Sequence, residues 1–484
     1  MKIKKSVVLV VCVAIFFSVL NASGVTVILP EMRTAYDINT MQLSWVMSIY
    51  LLTYGIAIPF YGRIADKFGA RPLFLIGITL FFLGSLACFA APNFKTMLAA
   101  RILQAAGGAA FPGLGMAIAS RAFSKEKRGI AIGILSATMG VGSAIGPLVT
   151  GIITEFASWR GIFGVSALVI FVLPFAWMVL PRDEEQSNGK IDIIGGTCLA
   201  LVITGLLYAV SQSTQSGWTD PIVLAAMTLS VAGLIGLTLR QRSSHEPFIP
   251  NELIKNIRYL RIIFLAFLVA AVNLAAIIGF PLMLAKYNGL DTFQIGLVMF
   301  PGAIAAAICG ILAGRLVDRV GPRLPTRLGA SIMLLTMVSL SFLSGGSVMI
   351  MMTLAGFLGA GFALLNTPIA AVVSAMVRST NLASALSLNT MMYFIGGSLG
   401  AALFSSIVTS NSDSLAAWNP LYSGTAIGYS DAFGVLAIGI ALAIIIVVPL
   451  PTKKMVEAEK AKQVAMENWT PDCSMPWAPE LKIK

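Results

Sequence analysis

The chain has 484 residues, of which 57% are hydrophobic and 11% charged, whereas soluble domains carry about 25% charged residues. So few charges cannot cover the roughly two to four domains that a soluble chain of this length would form. Soluble enzymes, disulfide scaffolds, coiled coils and disordered proteins are excluded, which leaves a multi-spanning membrane protein. The formal net charge of +12 does not indicate nucleic acid, because the basic residues sit in short gaps between apolar runs.

A membrane-crossing helix needs about 20 mostly apolar residues. Such runs lie near 6–30, 43–61, 72–91, 96–119, 129–154, 159–180, 191–211, 220–239, 259–285, 293–314, 328–344, 348–373, 382–409 and 430–450, fourteen in all. They are too long, and too little alternating, for barrel strands, so the predicted element is the helix. Lys2, Lys4 and Lys5 precede the first run as in a signal peptide. That run resumes after Asn21, Ala22 and Ser23 and continues through Leu29, so it is read as span 1. Cys12, Cys88, Cys198 and Cys309 lie inside apolar runs and Cys473 in the tail, with neither a close pair nor metal-ligand spacing. The single histidine, His245, lies in a polar connection. No metal site, cofactor or catalytic constellation is expected, and the chain is not read as an enzyme.

Lys and Arg divide unevenly between the alternate gaps and span ends: 28 with the two termini and four on the other side, with Arg101 alone well inside a span. By the positive-inside rule both termini are expected in the cytoplasm of a multi-pass cell-membrane protein. Trp45, Trp159, Trp218 and Trp418 fall near predicted outer span ends, where an interfacial belt would place them. The tail from Thr452 is charged enough to leave the bilayer.

The gap after span 2 reads GRIADKFGARP and the gap after span 10 reads GRLVDRVGPRL. Gly62, Arg63, Asp66, Gly69 and Arg71 match Gly314, Arg315, Asp318, Gly321 and Arg323, and the Lys67 charge matches Arg319. The 252-residue offset exceeds the roughly 190 to 200 residues of a six-span half, so two extra spans must intervene. The expected fold is an all-α integral membrane protein of fourteen transmembrane helices. Two six-helix bundles form a pseudo-two-fold arrangement, with two further helices between them. The expected division is residues 1–182, the insert 190–240, a cytoplasmic connection 241–258, residues 259–451 and a cytoplasmic tail 452–484.

These motifs resemble the major facilitator superfamily and, within it, the fourteen-span drug:proton antiporters. GRIADKFGAR is similar to the superfamily's signature loop. RILQAAG in span 4 (Arg101, Gln104, Gly107) and GVGSAIGPLVTG in span 5 (Gly142, Gly146, Pro147, Gly151) resemble two further motifs. SWRGIF at 158–163 and HEPFIP at 245–250 resemble features of the fourteen-span branch, and FFSVLN and AAFPGL look like stretches of fourteen-span tetracycline efflux proteins. The resemblance implies export of hydrophobic drugs or related small molecules in exchange for protons, by alternating access. The alternative is a facilitator or transporter of another solute, lipid, sugar-like or amino-acid-like. The expected partners are the small-molecule substrate, protons and the bilayer, without nucleic acid, and a monomer is expected.

Physical chemistry gives the motif residues candidate roles. Gly62 and Gly314 permit close helix approach, and Gly69 and Gly321 a tight turn. Asp66 and Asp318 can accept hydrogen bonds from a neighbouring helix start, forming with Lys67, Arg71, Arg319 and Arg323 a latch that closes one side. In span 5 Gly142, Gly146 and Gly151 allow close packing, and Pro147 permits a kink. Arg101, the charge well inside a span, is read as functional in proton coupling: it can stabilise a deprotonated partner carboxylate and shift its proton affinity with substrate occupancy. Span 1 carries Asn21, and span 5 has no acid before Glu155, so the proton carriers expected beside Arg101 are Glu155 and Glu31, with Asp66 a further candidate. The resemblance places a substrate cavity on spans 1, 4, 9 and 12. Those runs hold Asn21, Arg101 with Gln104, Asn273 and Asn366, and span 13 adds Asn389 and Tyr393.

Overall fold

A computed structural model describes residues 2–38, 40–123, 128–181, 192–244, 246–290, 292–411 and 417–447. His245, the boundaries expected at 182, 190 and 451 and the whole tail lie outside them. Among the described residues every element is helical, and fourteen helices are long and apolar enough to cross a membrane. Numbered as spans 1 to 14, they are Ser6–Leu29, Trp45–Phe68, Ala70–Phe89, Phe94–Ala122, Arg128–Phe156, Gly161–Val179, Ile193–Ser213, Pro221–Ser243, Ile257–Asn288, Gln294–Val320, Arg323–Leu343, Val348–Met376, Leu382–Ser410 and Ile427–Ile445.

The bounds correct one expectation. The segment read as a loop after span 2 is mostly helix, because span 2 continues to Phe68 and the chain turns only at Gly69. Span 10 likewise continues to Val320 and turns at Gly321. Gly69 has φ 91° and Gly321 φ 90°, a region that favours glycine, so the two repeats share a backbone turn as well as a sequence. Polarity in Arg63, Asp66 and Lys67 masked the helix, since a helix leaving an apolar layer keeps its backbone hydrogen bonds while its side chains become polar.

The two halves pack alike. Span 1 lies against span 5, span 3 against span 4 and span 2 against span 4; spans 9 and 13, 11 and 12, and 10 and 12 repeat these pairs. Small residues set the approach. A Cβ on Gly400 would stand 2.1 Å from the Ala271 carbonyl oxygen, and one on Gly107 would stand 2.1 Å from the Phe81 nitrogen. The halves meet along two related seams, span 2 with span 13 and span 5 with span 10. The seams differ in one respect. Spans 7 and 8 form a hairpin whose span 7 lies over the first seam, against both span 2 and span 13, with Trp45 on Tyr208 and Ser48 bonded to Ser211.

Candidate functional site

Two polar assemblies stand out, one at the signature-motif end of the molecule and one in the middle of the first half. At the motif end Asp66 is 2% exposed and accepts the backbone N–H groups of Ala383 and Ser384, each at 3.0 Å, in the first turn of span 13. Asp318 accepts those of Gly129 and Ile130, each at 3.1 Å, in the first turn of span 5. The first N–H groups of a helix have no partner within it, and the helix dipole favours negative charge there. Each carboxylate therefore makes a charge-assisted cap on a helix of the opposite half. Glycine makes the approach possible. A Cβ on Gly62 would lie 2.6 Å from that of Ser387, and one on Gly314 would lie 2.4 Å from the Gly129 carbonyl oxygen.

The remaining motif charges divide. Lys67 is buried, with Nζ 3.8 Å from the Glu246 carboxylate. Arg63 donates to the Pro247 carbonyl. Arg71 donates to the Trp177 carbonyl and lies 5.3 Å over that indole ring. Arg319 is exposed and Arg323 half-buried. The 246–256 connection is thus part of the first assembly. Phe248 packs on Phe60 at 5.0 Å and would meet a Cβ on Gly196 of span 7, while Glu252 pairs with Arg378 at 3.0 Å at the end of span 12.

In the first half Arg101 is fully buried. Its Nη1 donates to Asn21 Oδ1 at 3.0 Å and Gln104 Oε1 at 2.8 Å, and its Nε to the Val46 carbonyl at 3.3 Å. The guanidinium lies 4.1 Å over the Tyr50 ring, and Nη2 has no hydrogen-bond partner. Asn21 donates onward to Ser166 and Gln104 to Ser85, both at 2.8 Å, so five spans hold the network. All these partners are neutral. Glu155 and Glu31 are exposed, and neither joins the network; the expected carboxylate beside Arg101 is not in place, because the end of span 5 turns Glu155 outward.

The other expected cavity residues fall in the second half. Asn273 is buried and donates to the Tyr393 hydroxyl at 3.3 Å. Asn389 is buried with Oδ1 unpartnered, and Asn366 is half-exposed. Aromatic rings join the two sets. Tyr50 stacks on Tyr54 at 5.6 Å, Tyr54 meets Phe394 across the seam at 4.9 Å, and Phe394 meets Tyr393 at 5.8 Å. Tyr50, Tyr54 and Phe394 were missed in the sequence; the YLLTY spacing, four residues apart on one helix face, was the available signal.

Span 5 runs as one helix through Pro147. A Cβ on Gly146 would meet Ser23 Oγ at 2.0 Å, and one on Gly142 would meet Val19 at 3.2 Å, so both sit against span 1. Gly151 has nothing within 4 Å, which corrects its expected close-packing role. Trp159 is also corrected. It is 6% exposed and packs on Tyr36 at 5.5 Å beneath Arg160, rather than joining a belt. Arg160 and Tyr36 both donate to the Ala91 carbonyl, clamping three spans at this end. Burial pushes the Tyr36 phenol up, against the opposing pull of Arg160.

Two helical halves with matching contact pairs, joined by reciprocal caps at one end, frame a polar and aromatic centre, an arrangement of the membrane-transporter class. The family model of the Major Facilitator Superfamily matches residues 11–401, and the chain belongs to that superfamily. It is 30% identical over 416 residues to the multidrug resistance protein Stp of Mycobacterium tuberculosis (strain CDC 1551 / Oshkosh), covering 84% of this chain and 74% of Stp. It is 29% identical over 414 residues to the uncharacterized MFS-type transporter YhcA of Bacillus subtilis (strain 168), covering 84% and 76%. It is 27% identical to the methylenomycin A resistance protein of the same Bacillus strain, over 65% of this chain and 68% of that protein. Among solved structures, the human organic anion transporter MFSD10 superposes with TM-score 0.67 at 12% identity, over 92% of this chain and 99% of the other. A double-tryptophan mutant of XylE gives 0.69 at 14%, over 95% and 99%. Those two likenesses concern the fold.

Proposed function

We propose that the chain is a secondary active exporter of hydrophobic drugs or related small molecules, working by alternating access in exchange for protons. The observation that carries the reading is the pair of reciprocal caps, Asp66 on span 13 and Asp318 on span 5. A cap that joins two halves at one end must break when that end opens, which is what a two-state carrier requires. The resistance names of Stp and the methylenomycin A protein supply the cargo class. In this reading both termini and the caps lie in the cytoplasm, the halves are 1–182 and 259–451, and the insert is 190–240. Arg101, Asn21, Gln104, Asn273, Asn366, Asn389 and Tyr393 line or support the substrate region. Gly62, Lys67, Gly69, Arg71, Gly142, Gly146 and Pro147 serve the gate, with Gly314, Arg319, Gly321 and Arg323 in the second copy. The proton carrier is Asp66, or Glu155 or Glu31 in the opposite conformation.

A second reading, a facilitator for another solute, is favoured by one observation: Arg101 is bonded to neutral partners while Glu155 and Glu31 stand apart from it. Proteoliposomes with an imposed pH gradient separate the two. Antiport predicts that drug movement follows the gradient and that protons move the opposite way. Drug movement indifferent to the gradient makes the chain a facilitator.

A further inference from the structure

We propose that Arg101 is the charge-reading residue of the substrate region, and that the region takes aromatic molecules carrying an anionic group such as a carboxylate in preference to lipophilic cations. This rests on the exporter reading and adds to it the substrate class.

Three observations point this way. The first is the charge inventory. Each of the four acids inside the spans lies within four residues of a span end: Asp66, Glu155, Asp318 and Asp431. Asp66 and Asp318 are turned onto helix starts, and Asp431 accepts from Asn411 and the Trp418 backbone. Arg101, seven residues past the start of span 4, is therefore the charge deepest in the spans, and no span acid is placed to answer it. A buried guanidinium whose hydrogen-bond partners are all neutral leaves a net positive field in a low-dielectric interior.

The second is the unfinished coordination of the guanidinium. Arg101 is fully buried, and while Nε and Nη1 are engaged, Nη2 is unpartnered. A guanidinium edge with a free N–H pair is the complement of a carboxylate or a similar oxyanion.

The third is the route from this charge to the other half. The Arg101 guanidinium lies on Tyr50, Tyr50 on Tyr54, and Tyr54 on Phe394 across the seam. Tyr50 and Tyr54 are themselves buried under these contacts, and the half-buried Phe394 and its neighbour Tyr393 at the far end of the row offer stacking surface to a planar ligand. They would also welcome a cation through their faces, but the guanidinium already lies on one face of Tyr50 and repels a second positive charge. The aromatic surface thus supplies affinity and Arg101 supplies the sign. At about 10 Å in a protein interior, a unit charge separates an anion from a cation of the same shape by more than tenfold.

The test uses the full chain in nanodiscs and a matched naphthalene series bearing a carboxylate, a carboxamide or a trimethylammonium group. Dissociation constants are measured directly by equilibrium dialysis, against empty nanodiscs. The expected order is carboxylate tightest and ammonium weakest, with at least tenfold between them. Arg101→Met should shrink that ratio to within threefold, and Arg101→Lys, which keeps the charge, should retain the order. Ammonium binding as tight as carboxylate in the unmodified protein overturns the proposal, as does an order that survives Arg101→Met. The unmodified protein alone can refute it, so a variant that fails to fold does not protect it. The exporter reading is judged separately, by efflux from proteoliposomes. Gradient-driven efflux of the ammonium compound in preference to the carboxylate leaves that reading standing and sinks this proposal.

Discussion

The two copies of the signature motif share a backbone and differ in their surroundings. In both, an aspartate two residues before the helix end caps the first turn of a helix in the opposite half, and a glycine with φ near 90° turns the chain. The first copy is enclosed. Asp66 is 2% exposed, Lys67 reaches Glu246, Arg63 reaches Pro247 and Phe248 packs on Phe60, while span 7 lies over the adjoining seam. In the second copy Asp318 is half-buried and Arg319 exposed. One motif thus gives caps of different strength, because a hydrogen bond to a charge is worth more where water is excluded. The sequence repeat records the shared geometry; the asymmetry comes from the inserted hairpin and the connection that follows it.

The largest expected effect breaks the enclosed cap. Asp66→Asn removes the charge from two hydrogen bonds that contribute about 1.5–3 kcal/mol each, and its amide can offer only one oxygen to two N–H groups. Efflux by the variant in proteoliposomes should fall below a tenth of the unmodified rate, with insertion and monodispersity unchanged. Asp318→Asn should lower it only two- to fivefold. Equal losses would show that enclosure does not matter, and the contrast between the copies would be lost.

The glycines test the shared part of the geometry. A Cβ at Gly62 or Gly314 meets the opposing helix at 2.6 or 2.4 Å, shorter than real contacts. Gly62→Ala and Gly314→Ala should therefore both reduce efflux, by about three- to fivefold, since overpacking typically costs 1–3 kcal/mol, about as much in either copy. A silent Gly314→Ala would mean that the second approach is looser than the structure shows.

The connection sharpens the difference. Phe248→Ala removes the ring on Phe60 and beside Gly196. It should reduce efflux two- to threefold and speed labelling of a cysteine introduced at Ser387, next to Gly62. In an Asp66→Asn background the added effect should vanish, because the two changes weaken one assembly. Additive losses would make the connection an independent element.

Much of this was readable in advance for physical reasons. Fourteen apolar runs, the 252-residue offset and the role of Asp66 and Asp318 as acceptors for helix starts follow from local composition and spacing. The helical character of Gly62–Phe68 did not, because a helix and a loop outside an apolar layer are both polar there. The partners of Arg101 were half legible. Asn21 and Gln104 stood out as amides in apolar runs, but Ser85, Ser166, the Val46 carbonyl and the Tyr50 ring are brought in by helix packing, on which sequence spacing is silent. The placement of Glu155 beside Arg101 was not legible for the same reason. Adjacency in sequence put it near span 4, and rotation of one helix turns it outward.

The smallest effect separates two glycines of a single motif. Gly146 and Gly151 lie five residues apart, which on a helix is well over a quarter turn away from the same face. Gly146 faces span 1, where a Cβ would stand 2.0 Å from Ser23 Oγ and 2.8 Å from the Leu20 carbonyl. Gly151 is exposed and faces nothing within 4 Å. Alanine also favours the helix over glycine by about 1 kcal/mol, so Gly151→Ala gains helix propensity and meets no clash. Its efflux should lie within 1.5-fold of the unmodified protein, and its thermal midpoint should be the same or slightly higher. Gly146→Ala gains the same propensity and must push span 1 aside, so its midpoint should fall by several degrees. If Gly151→Ala instead lost transport while Gly146→Ala kept it, span 5 would have to present the other face to span 1 in the conformation that carries out transport. The seam between spans 5 and 10, and not only the caps at its end, would then be what rearranges.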